Sequence, residues 1–448
     1  MNSLRLSELM SALSHALDIT EGQPEGHCVR ACWIGMNIAS HLSLSEAQQW
    51  ELYYTLLLKD LGCSSNAARI CELYATDDLA FKHDFKTVDG SMPKVLRFIF
   101  HHTGATSSMK AKLHSLLNII SNGDRIANDL ILTRCTRGAD IARQLRFPEG
   151  VAAGIHSLDE HWDGSGRPEG RSGSQIPLYS QIALLSQVID VFHCAEGRSA
   201  AEAEIQKRKG KWFAPNLVEA FEAASRPPQF WQVLVSDALE SMVLSMEPGN
   251  HEKVLDEDYL DDIAEAFGQV VDAKSPYTAG HSARVALYTD LLGTSMGLPA
   301  ERRRWLKRGA LLHDVGKLGV SNSILDKPGK LDDAEWDAVK LHATFTGTIL
   351  GRIKVFEELA RVASAHHERL DGKGYPLGLA GDEIALESRI ITTADIFDAI
   401  TAARPYRGAV PLDKTLQMMS ENIGTSIDPR CYEALLKVIA EQPDVFPE

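Results

Sequence analysis

At 448 residues the chain is longer than one domain usually runs, so two or more ordinary cores are expected. Lys and Arg number 46 against 61 Asp and Glu, a net charge of −15 that argues against binding a DNA or RNA polymer over a broad surface and requires a local basic site for any small anion. The seven cysteines lack a paired CxxC arrangement and fit a reduced, cytoplasmic setting, and no apolar run approaches the roughly 20 residues that span a bilayer, so no membrane is expected.

Leu4, Leu6, Leu9, Met10 and Leu13 recur at helical spacing without a basic polar face, which predicts a packed N-terminal helix. Cys28 and Cys32 lie one helical turn apart and read as small buried thiols. The stretch around them also begins an internal repeat. His27 and Arg30 match His281 and Arg284, and Leu57-Leu58-Lys59-Asp60-Leu61-Gly62 matches Leu311-Leu312-His313-Asp314-Val315-Gly316, all at one constant offset. Glu160, Asp163, Gly164, Gly166, Pro168 and Gly170 match Glu368, Asp371, Gly372, Gly374, Pro376 and Gly378 at a smaller offset, which continues to Asp190 and Asp398. The N-terminal half therefore carries extra residues between its two blocks, somewhere within 66–153. The halves differ in chemistry: Lys59, Cys63, Leu158, Asp159 and Gln187 stand where the second half has His313, Lys317, His366, His367 and Asp395. A protonated lysine cannot offer a lone pair to a metal ion.

Ser225-Arg226-Pro227-Pro228 and Glu247-Pro248-Gly249-Asn250 break helix, placing a hinge or connecting helix over 226–255. Leu260, Ile263, Ala264, Phe267, Val270 and Val271 then follow helical spacing, as do Val285, Leu287, Leu291 and Leu292, and Leu306, Ala310, Leu311 and Leu312. The expected fold is all-α. Asp371 to Pro376 holds too many turn formers for a helix and is predicted to form a loop beside the ligands.

Along this second half runs a series of candidate ligands: His281, His313-Asp314, His342, His366-His367 and Asp395. Imidazoles and carboxylates suit borderline metals, a carboxylate can bridge two ions, and such a pair activates water for attack on phosphorus. Lys317 lies close to one turn after Asp314, so both side chains can reach one cavity. Tyr375 can anchor the loop or contact a phosphate or base, and Arg404 and Arg407 offer guanidinium forks for phosphate or form a solvated helix end. Glu368, Arg369, Asp371 and Lys373 are read as loop supports and Asp398 as an orienting partner of a ligand histidine.

These pieces, from Tyr277-Thr278-Ala279-Gly280-His281 through His313-Asp314-Val315-Gly316-Lys317 and His366 to Pro376, and on to Asp395-Ile396-Phe397-Asp398 and Arg404-Pro405-Tyr406-Arg407, resemble the HD-GYP branch of the HD phosphohydrolases. The resemblance implies tandem HD-type helical domains: a degenerate copy at 1–225 with a regulatory or structural role, a linker or connecting helix at 226–255, and a catalytic domain at 256–448. It implies two divalent metal ions, iron first and manganese next. One would take His281, His313, Asp314 and Asp395; the other would share Asp314 and take His342, His366 and His367. Some members use a glutamate one turn before the first histidine for a third ion, and Tyr277 stands there here. Asp314 and Lys317 are the implied catalytic residues, Lys317 acting at the scissile phosphate or leaving oxygen, and Tyr375, Arg404 and Arg407 the implied substrate contacts. The implied activity is hydrolysis of a 3′,5′-linked cyclic dinucleotide to the linear dinucleotide and onward to mononucleotides, with cyclic di-GMP the default substrate and 3′3′-cyclic GMP-AMP the alternative. A non-catalytic signalling scaffold is the further alternative, and a homodimer or signalling-protein partners are compatible with the chain.

Overall fold

The computed structural model describes residues 4–74, 76–86, 97–98, 102, 109–249, 255–403 and 408–446, and of 109–121 the backbone alone. Among the described residues the regular structure is entirely helical; the only ladder-like contacts are isolated bridges at Lys209–Phe213 and Ile423–Ile427. The chain divides into two compact units, Met1–Asp256 and Glu257–Glu448.

The second unit is built around helix His281–Ser295. This helix packs against helices Ala300–Leu312 and Leu386–Thr401, with Val285, Ala286, Tyr288 and Leu292 of its own, Leu306, Ala310 and Leu312 of the first and Ile390, Ile391, Ala394 and Phe397 of the second all buried, and the rings of Tyr288 and Phe397 5.1 Å apart. Fully burying one such side chain contributes about 1.5–3 kcal/mol, so this apolar layer fixes how the helices meet. Phe446 stacks on Tyr288, with ring centroids 5.3 Å apart. The helix starts sharply because Gly280 adopts φ +70°, a conformation that side chains oppose. Asp272 then accepts from the backbone N–H and the hydroxyl of Ser282, satisfying the new helix start.

The first unit repeats this plan. Gly26 has φ +83° ahead of helix His27–Ala39, and Asp18 accepts from Gly26 N and Cys28 N at 2.8 Å each. Helices Glu46–Leu58 and Ala300–Leu312 have the same length and the same offset in the sequence. The extra residues of this unit include helices Ala67–Tyr74 and Asp78–Phe85 and much of the 36-residue helix Met109–Gln144.

The stretch expected as a connector differs from that expectation. Residues 228–234 and 239–245 form helices whose Phe230, Trp231 and Val243 are buried within the first unit. Trp33 Nε1 donates to Phe230 O at 3.0 Å and the Tyr53 hydroxyl donates to Val243 O at 3.2 Å. The cause lies in Pro228, which occupies the first helical position, where its missing N–H costs nothing, and so opens a helix rather than ending one. The unit boundary falls at Asp256 and Glu257. All seven cysteines are free thiols, with Cys28 and Cys32 fully buried, and no helix among the described residues is long and apolar enough to cross a membrane.

Candidate metal centre

The predicted ligands converge from five segments of the second unit. His281 opens its helix, His313 caps the end of helix Ala300–Leu312 with Asp314 next, and Lys317 sits on the tight turn Val315–Gly319. His342 lies within helix Asp333–Gly351, His366 and His367 follow helix Glu357–Ser364, and Asp395 projects from helix Leu386–Thr401. Close approach of the Lys317 turn to the His342 helix requires Gly316, where a Cβ would run into the His342 carbonyl.

Asp314 is the hub. Its Oδ2 faces His281 Nε2 at 3.4 Å and His313 Nε2 at 3.3 Å, while its Oδ1 faces His342 Nε2 at 3.5 Å and His366 Nε2 at 3.7 Å. Asp395 Oδ1 closes the first side, 3.3 Å from His281 Nε2, and His367 closes the second with His342 and His366. Two three-residue groups result, His281–His313–Asp395 and His342–His366–His367, with one carboxylate presenting an oxygen to each.

Four of the imidazoles are held in a single tautomer. His313, His342 and His366 each donate Nδ1–H to the backbone carbonyl three residues earlier, at 2.6, 2.5 and 2.6 Å. His281 donates Nδ1–H to Asp398 Oδ2 at 2.7 Å, and Arg284 Nε donates to Asp398 Oδ1 at 2.5 Å. Every Nε2 lone pair of the four is thereby turned inward, as metal-ligating histidines require.

Electrostatics favour a cation here. Burial works against charging His281, yet Asp314, Asp395 and Asp398 together raise its pKa well above the usual histidine range. Burial likewise opposes ionisation of Asp314, but His313, Lys317 and His281 hold it well below the carboxylate range. Burial drives His342 down to about 4 and His367 to about 3, so both are neutral at physiological pH, the form that can ligate a metal. Nε2 of His281, Nε2 of His313 and Oδ1 of Asp314 are buried without a hydrogen-bond partner. Orphaned atoms of this kind, all lone-pair donors facing one another, fit divalent metal ions.

The centre opens on one side. Lys317, ion-paired with Asp314, is partly exposed, as are His367 and Tyr375, whose rings lie 4.8 Å apart. Burial pushes the Tyr375 phenol up, keeping its hydroxyl protonated. Glu368 supports the loop as expected, accepting from Leu377 N at 2.6 Å and Leu379 N at 2.9 Å, and Arg369 pairs with Asp371. Arg404 and Arg407 lie outside the described residues. Arg284 was legible only as the partner of Arg30 in the repeat, and Trp336, whose ring stands 6.3 Å from that of Tyr375, carried no motif.

In the first unit the matching positions are filled differently. His27 donates Nδ1–H to Asp190 at 2.6 Å, as His281 does to Asp398, but the Lys59 ammonium donates to His27 Nε2 at 2.9 Å and pairs with Asp60. Gly62 lies under the carbonyl of Arg134 just as Gly316 lies under that of His342, so Arg134 occupies the His342 position, and it pairs with Asp159, which matches His367. The extra residues of this half therefore fall between 66 and 134.

Comparison with known proteins accords with this duplication. The HD domain family matches residues 114–217 and again 265–431. The chain is 56% identical to the 3′3′-cGAMP-specific phosphodiesterase 3 of Vibrio cholerae over 99% of its length and 97% of that protein. It is 36% identical to the cyclic di-GMP phosphodiesterase response regulator RpfG of Xanthomonas campestris, over 38% of this chain and 46% of that one. A crystal structure of a cyclic GMP-AMP specific phosphodiesterase of V. cholerae matches all of both chains with a TM-score of 0.69 and 50% identity. With the ligand series and the Gly-Tyr-Pro loop in place, the chain belongs to the HD domain family, in its HD-GYP branch of phosphodiesterases.

Proposed function

We propose that the second unit hydrolyses 3′3′-cyclic GMP-AMP, in preference to the cyclic di-GMP expected by default. The observation that carries the chemistry is Asp314, one carboxylate shared between two inward-facing ligand groups. What favours this substrate is that a full-length relative at 56% identity is specific for it, whereas the cyclic di-GMP enzyme RpfG shares only 38% of this chain. Cyclic di-GMP is the second reading, supported by that shared portion.

His281, His313 and Asp395 would hold one divalent ion, His342, His366 and His367 the other, and Asp314 both; iron is the first expectation and manganese the next. When bound, such ions supply Lewis acidity and draw the ionisation of water toward neutral pH. The Lys317 ammonium, beside Asp314, brings positive charge to an oxygen of the scissile phosphate as the ester bond breaks. Tyr375 borders the open side, where its hydroxyl can donate to a phosphate oxygen. Arg404 and Arg407 are assigned to the second phosphate.

The first unit, by this reading, does no hydrolysis. Its own cations, Lys59 and Arg134, stand at the positions that in the second unit belong to metal ligands, and Lys59 meets the lone pair of His27 that a metal would take.

Turnover of 3′3′-cyclic GMP-AMP and cyclic di-GMP should be measured side by side on protein reconstituted anaerobically with iron or manganese, with Asp314→Ala as the control. The expected result is metal-dependent cleavage, faster for 3′3′-cyclic GMP-AMP and abolished in the variant. Equal or faster cleavage of cyclic di-GMP would reverse the substrate assignment, and metal-loaded protein that cleaves neither would remove it.

A further inference from the structure

Beyond the metal centre, on its open side, the rings of His367, Tyr375 and Trp336 follow one another outward. Tyr375 lies 4.8 Å from His367 at 33°, nearly parallel, and Trp336 meets Tyr375 at 6.3 Å and 84°. The last two rings make a corner, one face set against the edge of the other. Trp336 is 47% exposed although it is the largest apolar side chain on its helix, and burial of an indole is ordinarily favourable. Its sequence neighbours Asp332, Asp333, Glu335 and Asp337 are carboxylates, of which Glu335 pairs with Lys327 and Asp337 with Lys340 at 2.7 Å. The flat face of an indole accepts an uncharged base of any identity. One aromatic ring separates Trp336 from the ligand histidines, so the distance suits a group attached to the reacting phosphodiester and not that phosphodiester itself.

From this corner we infer that Trp336 stacks on one purine of the cyclic dinucleotide while the phosphate sits at the metal ligands and Lys317. The inference rests on the proposed substrate class and adds to it a residue that binds without taking part in the bond-breaking step.

Its test is a KM-against-kcat comparison on the full chain with Trp336→Ala and Trp336→Phe, on 3′3′-cyclic GMP-AMP. Stacking a base on an aromatic side chain is commonly worth about tenfold or more in affinity. The alanine variant should therefore raise KM about tenfold with kcat retained, and phenylalanine should restore most of the loss. Metal content and melting temperature are read on every variant and are expected to equal the parent's. A KM within twofold of the parent for Trp336→Ala, or a fall in kcat and metal content that phenylalanine does not repair, overturns the inference. The parent is also assayed on bis-p-nitrophenyl phosphate. A parent that cleaves this small diester but no cyclic dinucleotide defeats the substrate reading, and the stacking role falls with it; an active parent with an indifferent Trp336→Ala defeats the stacking role alone.

Discussion

Asp398 touches no candidate metal ion, yet it governs the direction in which His281 points. Its two oxygens accept from His281 Nδ1 and from Arg284, and burial, which opposes its ionisation, is outweighed by these two partners so that its pKa lies below the usual range. Replacing it with Asn keeps the shape but removes the charge that fixes the imidazole and neutralises the guanidinium. Asp398→Asn should weaken metal affinity by about 10- to 100-fold, the usual cost of losing such a partner, as measured by competition with a calibrated chelator. At this scale the sequence was most informative where chemistry restricts residue type. His281 through Asp395 could be recognised because few other residues ligate metals, and Asp398 because it follows Asp395 by one turn. Trp336 could not be recognised, since an aromatic residue near a helix start serves packing as readily as binding, and only the ring of Tyr375 beside it distinguishes the two.

The loop after His367 is an element whose shape survives the loss of its chemistry. Glu368 accepts from Leu377 N and Leu379 N, and in the first unit Glu160 accepts from Glu169 N and Arg171 N at 2.7 and 2.9 Å, although Leu158 and Asp159 have replaced the two histidines. A buried carboxylate holding two backbone donors across a turn is worth about 3 kcal/mol, since its removal leaves both donors unsatisfied. Glu368→Ala and Glu160→Ala should each lower stability by roughly that amount in denaturant unfolding. Only Glu368→Ala should also reduce turnover, because its loop carries Tyr375; equal losses of turnover in both variants would count against a non-catalytic first unit. The repeat made such elements legible in pairs, with helices Glu46–Leu58 and Ala300–Leu312 ending at matched positions. It could not reach residues 226–255, which have no counterpart in the matched blocks, and there Pro227-Pro228 looked like a break when Pro228 in fact starts a helix.

For the whole molecule, duplication produced two units that solve one electrostatic problem in different ways. Each brings buried carboxylates against an inward-facing imidazole: Asp60 and Asp190 around His27, Asp314, Asp395 and Asp398 around His281. Uncompensated charges of this kind cost several kcal/mol, so each needs a cation. In the first unit the chain supplies it. Burial disfavours the Lys59 ammonium, but Asp60 more than offsets that and raises its pKa, while Lys59 in turn holds Asp60 well below the carboxylate range. In the second unit Lys317 pairs with Asp314 and Arg284 with Asp398, and the proposed metal ions would supply the positive charge that Asp395 and the shared Asp314 still lack. Removal of metal should therefore act on one unit only. In hydrogen exchange read peptide by peptide, a chelator should lower protection over 300–319 and leave 46–62 unchanged. Lys59→Met should do the reverse, destabilising the first unit by about 3–5 kcal/mol because it strands a buried carboxylate. If chelation opened both stretches equally, the first unit would hold a metal ion after all, and the exchange of ligands for Lys59 and Arg134 would have to be read as substitution around a retained site instead of its replacement.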